Sequence, residues 1–388
     1  MAAEGAEATA DPPAWFRAAM EAPYHSSFTD VGGCLIHSLR WCAPKRTHSA
    51  RRRAPQGIAF VHGTGAHAHW FTHLAPLLVD GGYEVLALSL SGHGESGERE
   101  RYDEACWSDD CIGTMEDAGF FDANRDGPPV LVGHSLGSYP VIRVAQRIGA
   151  RLGGIVCCDS GIPHPMIWMS EEGAAERRKQ MQRPAPARVH PMSRPCRLTL
   201  SPPQRVRHQY IVDFISSKSW KPAKRDDGSD GWRWSFDPQR NAKSDFLASV
   251  QVGTPEAIKA LRCRVGIVYG DESAIVNPPT QRLMAHDLGE HVPLIGVADA
   301  EHHLFLDQPL AFVAVLKAMI GEWKRSATTL ADGVTVLPPL SPGRPSHSDF
   351  DEAADMAELR KGMVFGKAPP KLTRPLGAVG GREPSSKL

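Results

Sequence analysis

Between residues 57 and 160 two patterns alternate along the chain. Short continuous apolar runs, "GIAFVH", "EVLALSL", "PVLVGH" and "LGGIVCCD", predict strands. The stretches between them predict helices: "WFTHLAPLLVDGG", ending at Gly81, then residues 104 to 119, then Leu136 to Ile148, closed by Gly149. A strand that is apolar on both faces belongs to a sheet covered on both sides. Such sheets are mostly parallel, with helices as the crossovers.

The segments around this region differ. Residues 24 to 42, "YHSSFTDVGGCLIHSLRWC", predict two strands about the turn at Gly32-Gly33. The basic run "APKRTHSARRRAPQG" that follows predicts a solvated loop. The alternation stops at residue 160. Residues 160 to 245 are rich in Pro, Arg, Met and Trp, with helical stretches "EEGAAERRKQMQ" and "HQYIVDFISSK", and predict an inserted helical cap. The alternation then resumes with "RVGIVYGD", "PTQRLMAHDLG" and "HVPLIGVAD", and an amphipathic helix over 309 to 324 closes it. The expected layout is a core of 24–159 and 246–326, a cap of 160–245, and two flexible ends. Residues 1–23 are rich in Ala, Pro and Glu. Residues 327–388 are rich in Pro, Gly and Ser, with one short helix at "FDEAADMAELRKG".

Composition narrows the function classes. Hydrophobic residues are 41% and charged residues 23%, as in soluble globular proteins, and 44 basic residues balance 44 acidic ones. That balance argues against nucleic acid or an anionic membrane as the main partner. No run of 18 apolar residues exists, so no transmembrane helix is expected. The opening "MAAEGAEATADPPAWF" lacks the basic and apolar segments of a secretory signal. The eight cysteines show no C-x-x-C pair and are expected to be reduced thiols of an intracellular protein, with Cys157 and Cys158 packed inside a strand. The chain ends in Ser386-Lys387-Leu388, a peroxisomal address read by an import receptor. The expected location is the peroxisomal matrix.

The third strand runs straight into "GHSLG". Strand, G-x-S-x-G, then helix is a nucleophile elbow. Its turn needs glycine at 133 and 137, because larger side chains would crowd the adjacent strand and helix. Ser135 then stands at the carboxyl edge of the sheet. The Leu136 N–H and the positive end of the helix favour negative charge beside it. A serine needs a base, and "ADAEHHLFLDQPLAF" supplies two adjacent histidines, His302 and His303, of which only one can face Ser135. His67, His69 and His73 have the spacing of metal ligands, but no carboxylate or cysteine accompanies them. His93 is read as a loop or pocket residue.

The stretches "VHGTGAHAHW", "VLALSLSGHGESG" and "VGHSLG" resemble the capped serine hydrolases of the α/β-hydrolase fold superfamily, with the resemblance running from about residue 24 to 325. It implies a mostly parallel, doubly wound α/β sheet, with the cap inserted after the strand that follows the nucleophile helix. In that pattern the base lies seven residues before the proline of the last helix, which is His302, leaving His303 as a packed neighbour. The resemblance also places the second oxyanion donor at the residue after His62-Gly63, the Thr64 N–H. The commonest position for the triad acid is three residues past the glycine of "RVGIVYG", but Ser273 stands there. Some members carry the acid after the preceding strand, where this chain has Asp159. Asp159 is therefore the expected acid, with Asp271 and Glu272 as rivals.

The expected activity is hydrolysis of a carboxylic ester or thioester through an acyl-enzyme, with no cofactor or metal required and a small acyl substrate, lipid-derived if the peroxisomal address holds. Met and Trp residues of the cap, Trp168 foremost, are candidates for the acyl pocket. A C–C bond hydrolase or lyase on the same scaffold, or a non-catalytic ligand receptor, are the alternatives.

Overall fold

The computed structural model describes residues 11–43, 53–168, 170–181, 198, 200–289, 291–326, 328–329, 335–336 and 351–362. Its longer strands are β1 (His25–Val31), β2 (Cys34–Trp41), β3 (Gly57–Val61), β4 (Glu84–Leu88), β5 (Val130–His134), β6 (Gly154–Cys158), β7 (Trp220–Lys224), β8 (Asp230–Trp234), β9 (Val265–Gly270) and β10 (Leu294–Val297). Eight of them form one sheet in the order β1-β2-β4-β3-β5-β6-β9-β10. β1 pairs antiparallel with β2, and β2 antiparallel with β4. From β4 to β10 every pairing is parallel.

Every residue of β3, β4, β5 and β6 is buried. Alternation within these strands feeds two cores. Ala59, Val61, Leu131, Ile155 and Cys157 face one side, against Cys111 and Met115 of the helix Glu104–Asp117 and Val141 and Val144 of the helix Ser138–Ile148. Ile58, Phe60, Val130, Val132 and Cys158 face the other, against Phe312, Leu316 and Ile320 of the helix Pro309–Ser326. A sheet with no wet face is apolar at nearly every position, hence the near-continuous runs; the buried Glu84 at the start of β4 is paired with Arg125. Cys157 and Cys158 are packed thiols, and burial pushes Cys157 up to about 12, so it is inert as a nucleophile.

The structure departs from the sequence expectations in four places. The stretch predicted as one helix to Gly81 is two, a 3-10 turn at Ala68–Phe71 and an α-helix at Ala75–Asp80, because Pro76 lacks the N–H needed to continue a ladder and suits a helix start. The N-terminal segment expected to be flexible contains a helix, Ala14–Glu21, with Phe16 buried 4.7 Å from the Tyr210 ring. The segment between β6 and β9 carries helices, among them Glu171–Met181 and Gln209–Lys218, but also the hairpin β7–β8, closed by Trp220 stacked on Trp234 at 3.9 Å. The signal was Asp227-Gly228, a hairpin dipeptide, with Gly228 at φ +81. In the C-terminal segment the short helix at Glu352–Gly362 does form. It is docked: Met356 and Leu359 pack on Leu283, and Asp355 pairs with Arg282 on the helix Pro278–Leu288. Among the described residues no helix is long and apolar enough to cross a membrane.

The inserted segment is tied to the β4 loop. Asp237 N–H donates to the Gly92 carbonyl at 2.8 Å, and its carboxylate accepts from the Tyr102 hydroxyl at 2.9 Å and from Lys243 at 2.8 Å. Arg240 donates to His93 Nε2 at 2.9 Å. His93 is thereby a docking residue of that loop.

Candidate active site

β5 ends at His134, and the next residue, Ser135, has φ +51. A non-glycine residue in that region is strained, and such strain collects at functional sites. The turn is closed so tightly that a Cβ on Gly133 would lie 2.5 Å from the Gly137 carbonyl oxygen, and one on Gly137 would lie 2.5 Å from the carbonyl oxygens of Val61 and His62. Leu136 follows at the head of the helix Ser138–Ile148, where the first N–H groups have no intrahelical partner.

The loop after β3 presses on the same point. A Cβ on Gly63 would lie 3.0 Å from Ser135 Cβ, so a side chain there would crowd the elbow. His62 holds the loop by both ring nitrogens. Its Nε2 accepts from Leu90 N–H at 3.0 Å, which leaves Nδ1 protonated, and Nδ1–H donates to the Gly63 carbonyl at 2.7 Å. Burial holds the His62 imidazole neutral, down to about 4. Ala66 N–H also donates to that carbonyl, at 3.2 Å. In a trans peptide the next N–H points the opposite way from the carbonyl, so pinning the Gly63 oxygen orients the N–H of Thr64. This role of His62 was not foreseen from the sequence, although the His-Gly pair ending a strand carries it.

Asp159 follows β6 with φ +45 and is fully buried. Its Oδ2 accepts from His302 Nδ1–H at 2.7 Å and from the Ser273 hydroxyl at 2.6 Å. Its Oδ1 accepts from Gly270 N–H at 2.9 Å. Ser273 is held in turn by the N–H groups of Ile275 and Val276, both at 3.0 Å. Ser273, standing where the acid is commonest, therefore donates to the Asp159 carboxylate. Its presence was legible in the sequence; its partner was not. The rivals lie apart from the imidazole. Asp271 accepts from Ala300 N–H at 3.3 Å, and Glu272, more than a third exposed, pairs with Arg205 and Arg207.

His302 is fixed from a second side. His134 Nε2–H donates to the His302 carbonyl at 3.0 Å, and the two rings lie 4.8 Å apart. The residue before Ser135 thus holds the histidine loop against the elbow. With Nδ1 on Asp159, Nε2 is the nitrogen left for Ser135. No hydrogen bond joins it to Ser135 Oγ in this structure, and catalytic pairs in unliganded sites are commonly open in this way. The His303 ring packs among those of Trp70, His134 and His302. His67 bonds Ser219 at 2.8 Å and His73 the Phe305 carbonyl at 3.0 Å, so those histidines are separately engaged. Trp168 lies in a short turn, Pro165–Trp168, and its side chain is outside the described residues, as are Ser386, Lys387 and Leu388.

Fold and elbow define the class, an α/β protein with a serine raised at the carboxyl edge of its sheet. The profile of the alpha/beta hydrolase family matches residues 58–315, and the chain belongs to that family. Among curated protein sequences no significant match is found. Solved structures share the fold at low identity. E-2-(acetamidomethylene)succinate hydrolase is 16% identical with a TM-score of 0.56, covering 77% of this chain and 100% of its own. An esterase of M. tuberculosis is 21% identical with a TM-score of 0.56, covering 79% and 96%. A thermophilic esterase from Thermogutta terrifontis is 19% identical with a TM-score of 0.54, covering 78% and 100%.

Proposed function

We propose that the protein is a serine hydrolase that cleaves a carboxylic ester or thioester through an acyl-enzyme, with the segment between β6 and β9 as a cap over the substrate. The observation that carries this is the buried Asp159–His302 pair, closed at 2.7 Å and tied through His134 to the elbow of Ser135. The solved structures that share the fold, a hydrolase of E-2-(acetamidomethylene)succinate and two esterases, are compatible with it.

Each group has a definite task. Ser135 Oγ attacks the acyl carbon as His302 Nε2 takes its proton. Asp159 holds the imidazole in the Nδ1–H tautomer and stabilises the imidazolium. The N–H groups of Leu136 and Thr64 hold the oxyanion, each worth about 3–4 kcal/mol in the transition state. His302 returns the proton to the leaving alcohol or thiol. Water, deprotonated by the same nitrogen, then releases the acid. Ser273 and Gly270 act behind the triad by holding the Asp159 carboxylate in place.

A nitrophenyl ester tests this directly. The expected record is a burst of nitrophenolate equal to the enzyme present, followed by slower turnover. Cleavage without any acyl intermediate, or none across a panel of oxygen esters and CoA thioesters, overturns the proposal in favour of a C–C hydrolase, lyase or receptor.

We also propose that Ser386-Lys387-Leu388 directs the chain to the peroxisomal matrix through the import receptor. A fluorescent protein placed ahead of the chain should become punctate and coincide with a peroxisomal marker. Removal of Leu388 should leave it diffuse. Unchanged distribution on that removal refutes the address.

A further inference from the structure

His134, His302 and His303 present one ring nitrogen each to a common space, and the three nitrogens lie within 4.8 Å of one another. All three residues are buried. Hydrogen bonding uses only part of their polar surface. His134 donates from Nε2 to the His302 carbonyl, which leaves its Nδ1 buried without a partner. His302 has Nδ1 on Asp159. His303 has neither nitrogen in hydrogen-bonding geometry; the Ser201 backbone comes near but completes no bond. Its own N–H is held by the Gln204 side chain at 2.8 Å. Buried polar atoms without partners are rare, and each one asks for a water, an ion or a ligand.

The donor set specifies the ligand. Three imidazoles with no thiolate suit zinc, cobalt and copper, and suit magnesium or calcium poorly. Zinc binds imidazole nitrogen at about 2.0–2.1 Å, so tetrahedral ligands stand about 3.4 Å apart, and ring rotations that draw the nitrogens in by at most about 1.4 Å close the site. Asp159, on the far nitrogen of His302, supplies the outer carboxylate that metal-bound histidines characteristically have.

We propose that His134, His302 and His303 form a site for a divalent ion of the zinc class, which shuts the active site by taking the lone pair of His302 Nε2. A coordinated nitrogen cannot accept the Ser135 proton. The shut-off rests on His302 being the base; the binding itself does not.

The full chain is titrated with Co²⁺ and with Zn²⁺, and labelling by a fluorophosphonate probe is followed in parallel. One Co²⁺ per chain with the intense visible absorption of a tetrahedral site is expected. At Zn²⁺ ten times its Kd, labelling should slow about tenfold and recover with chelator. His303→Leu and His303→Asn should still be labelled without metal but lose the cobalt spectrum and the zinc effect. X-ray absorption of the zinc-loaded wild type should count nitrogen neighbours at about 2.0–2.1 Å. Sulfur neighbours at about 2.3 Å, no binding, or equal binding and inhibition in both His303 variants overturn the site. Cobalt binding lost with His303, in a protein that is never labelled even without metal, upholds the site and refutes the serine hydrolase instead.

Discussion

Ser135→Ala is expected to abolish fluorophosphonate labelling and to lower ester turnover by about 10⁴-fold or more. The size follows from what remains. Without Oγ there is no bond from protein to acyl carbon, so the oxyanion donors and the pocket act on a water that nothing has positioned. Triads act as units, and removing the nucleophile costs nearly as much as removing the whole set. The fold should tolerate the change, because the strain at φ +51 belongs to the backbone and the glycines at 133 and 137 already accommodate it. A thermal melt beside the kinetics separates the two effects. Turnover within tenfold of wild type would mean that water attacks without a covalent intermediate, and the proposed chemistry would fall.

The second large effect is at Asp159. Asp159→Asn should reduce kcat by about 10⁴-fold with little change in KM. An amide cannot stabilise the imidazolium, and its NH₂ can turn toward Nδ1 and force the proton onto the nitrogen that must act as base. The site is fully buried, so bulk water cannot replace the lost carboxylate. Ser273→Ala removes one donor to Asp159 Oδ2 but leaves His302 on that oxygen and Gly270 N–H on Oδ1, and a loss of about tenfold in kcat is expected, the scale of one hydrogen bond to a charged group. Asp271→Asn and Glu272→Gln should stay within about twofold, as their carboxylates are engaged away from the imidazole. A severe loss on Asp271→Asn with Asp159→Asn nearly active would move the acid to the other strand. Steady-state kinetics on the four variants decide between them.

The central strands of the parallel sheet, β3 to β6, were legible because burial on both faces leaves a near-continuous apolar run, broken only at its ends by Glu84 and His134. The elbow was legible for a different reason. Gly133, Ser135 and Gly137 meet steric and chemical demands within five residues, so the whole feature fits in one local window. β7 and β8 were not legible as strands. Their faces are partly exposed, and "WKPAK" carries no apolar alternation, so only the Asp227-Gly228 turn marked them. The helix at Ala14–Glu21 was missed although Trp15, Phe16 and Met20 were in view, because the surface that orders it, Tyr210, lies far along the chain.

By itself, the chain's order of residues determined the layered α/β architecture, the serine between its two glycines and the short list of histidines and carboxylates able to serve it. Folding decided which of them meet. Asp159 lies 114 residues from Ser273 and 143 from His302, separations over which no periodicity carries information. They converge because β6 and β9 are hydrogen-bonded neighbours, which sets the ends of both strands side by side. That pairing gives Asp159 its donors from Gly270 and Ser273. It also leaves Asp271, though next to the usual position in sequence, bonded to the Ala300 backbone and away from the imidazole.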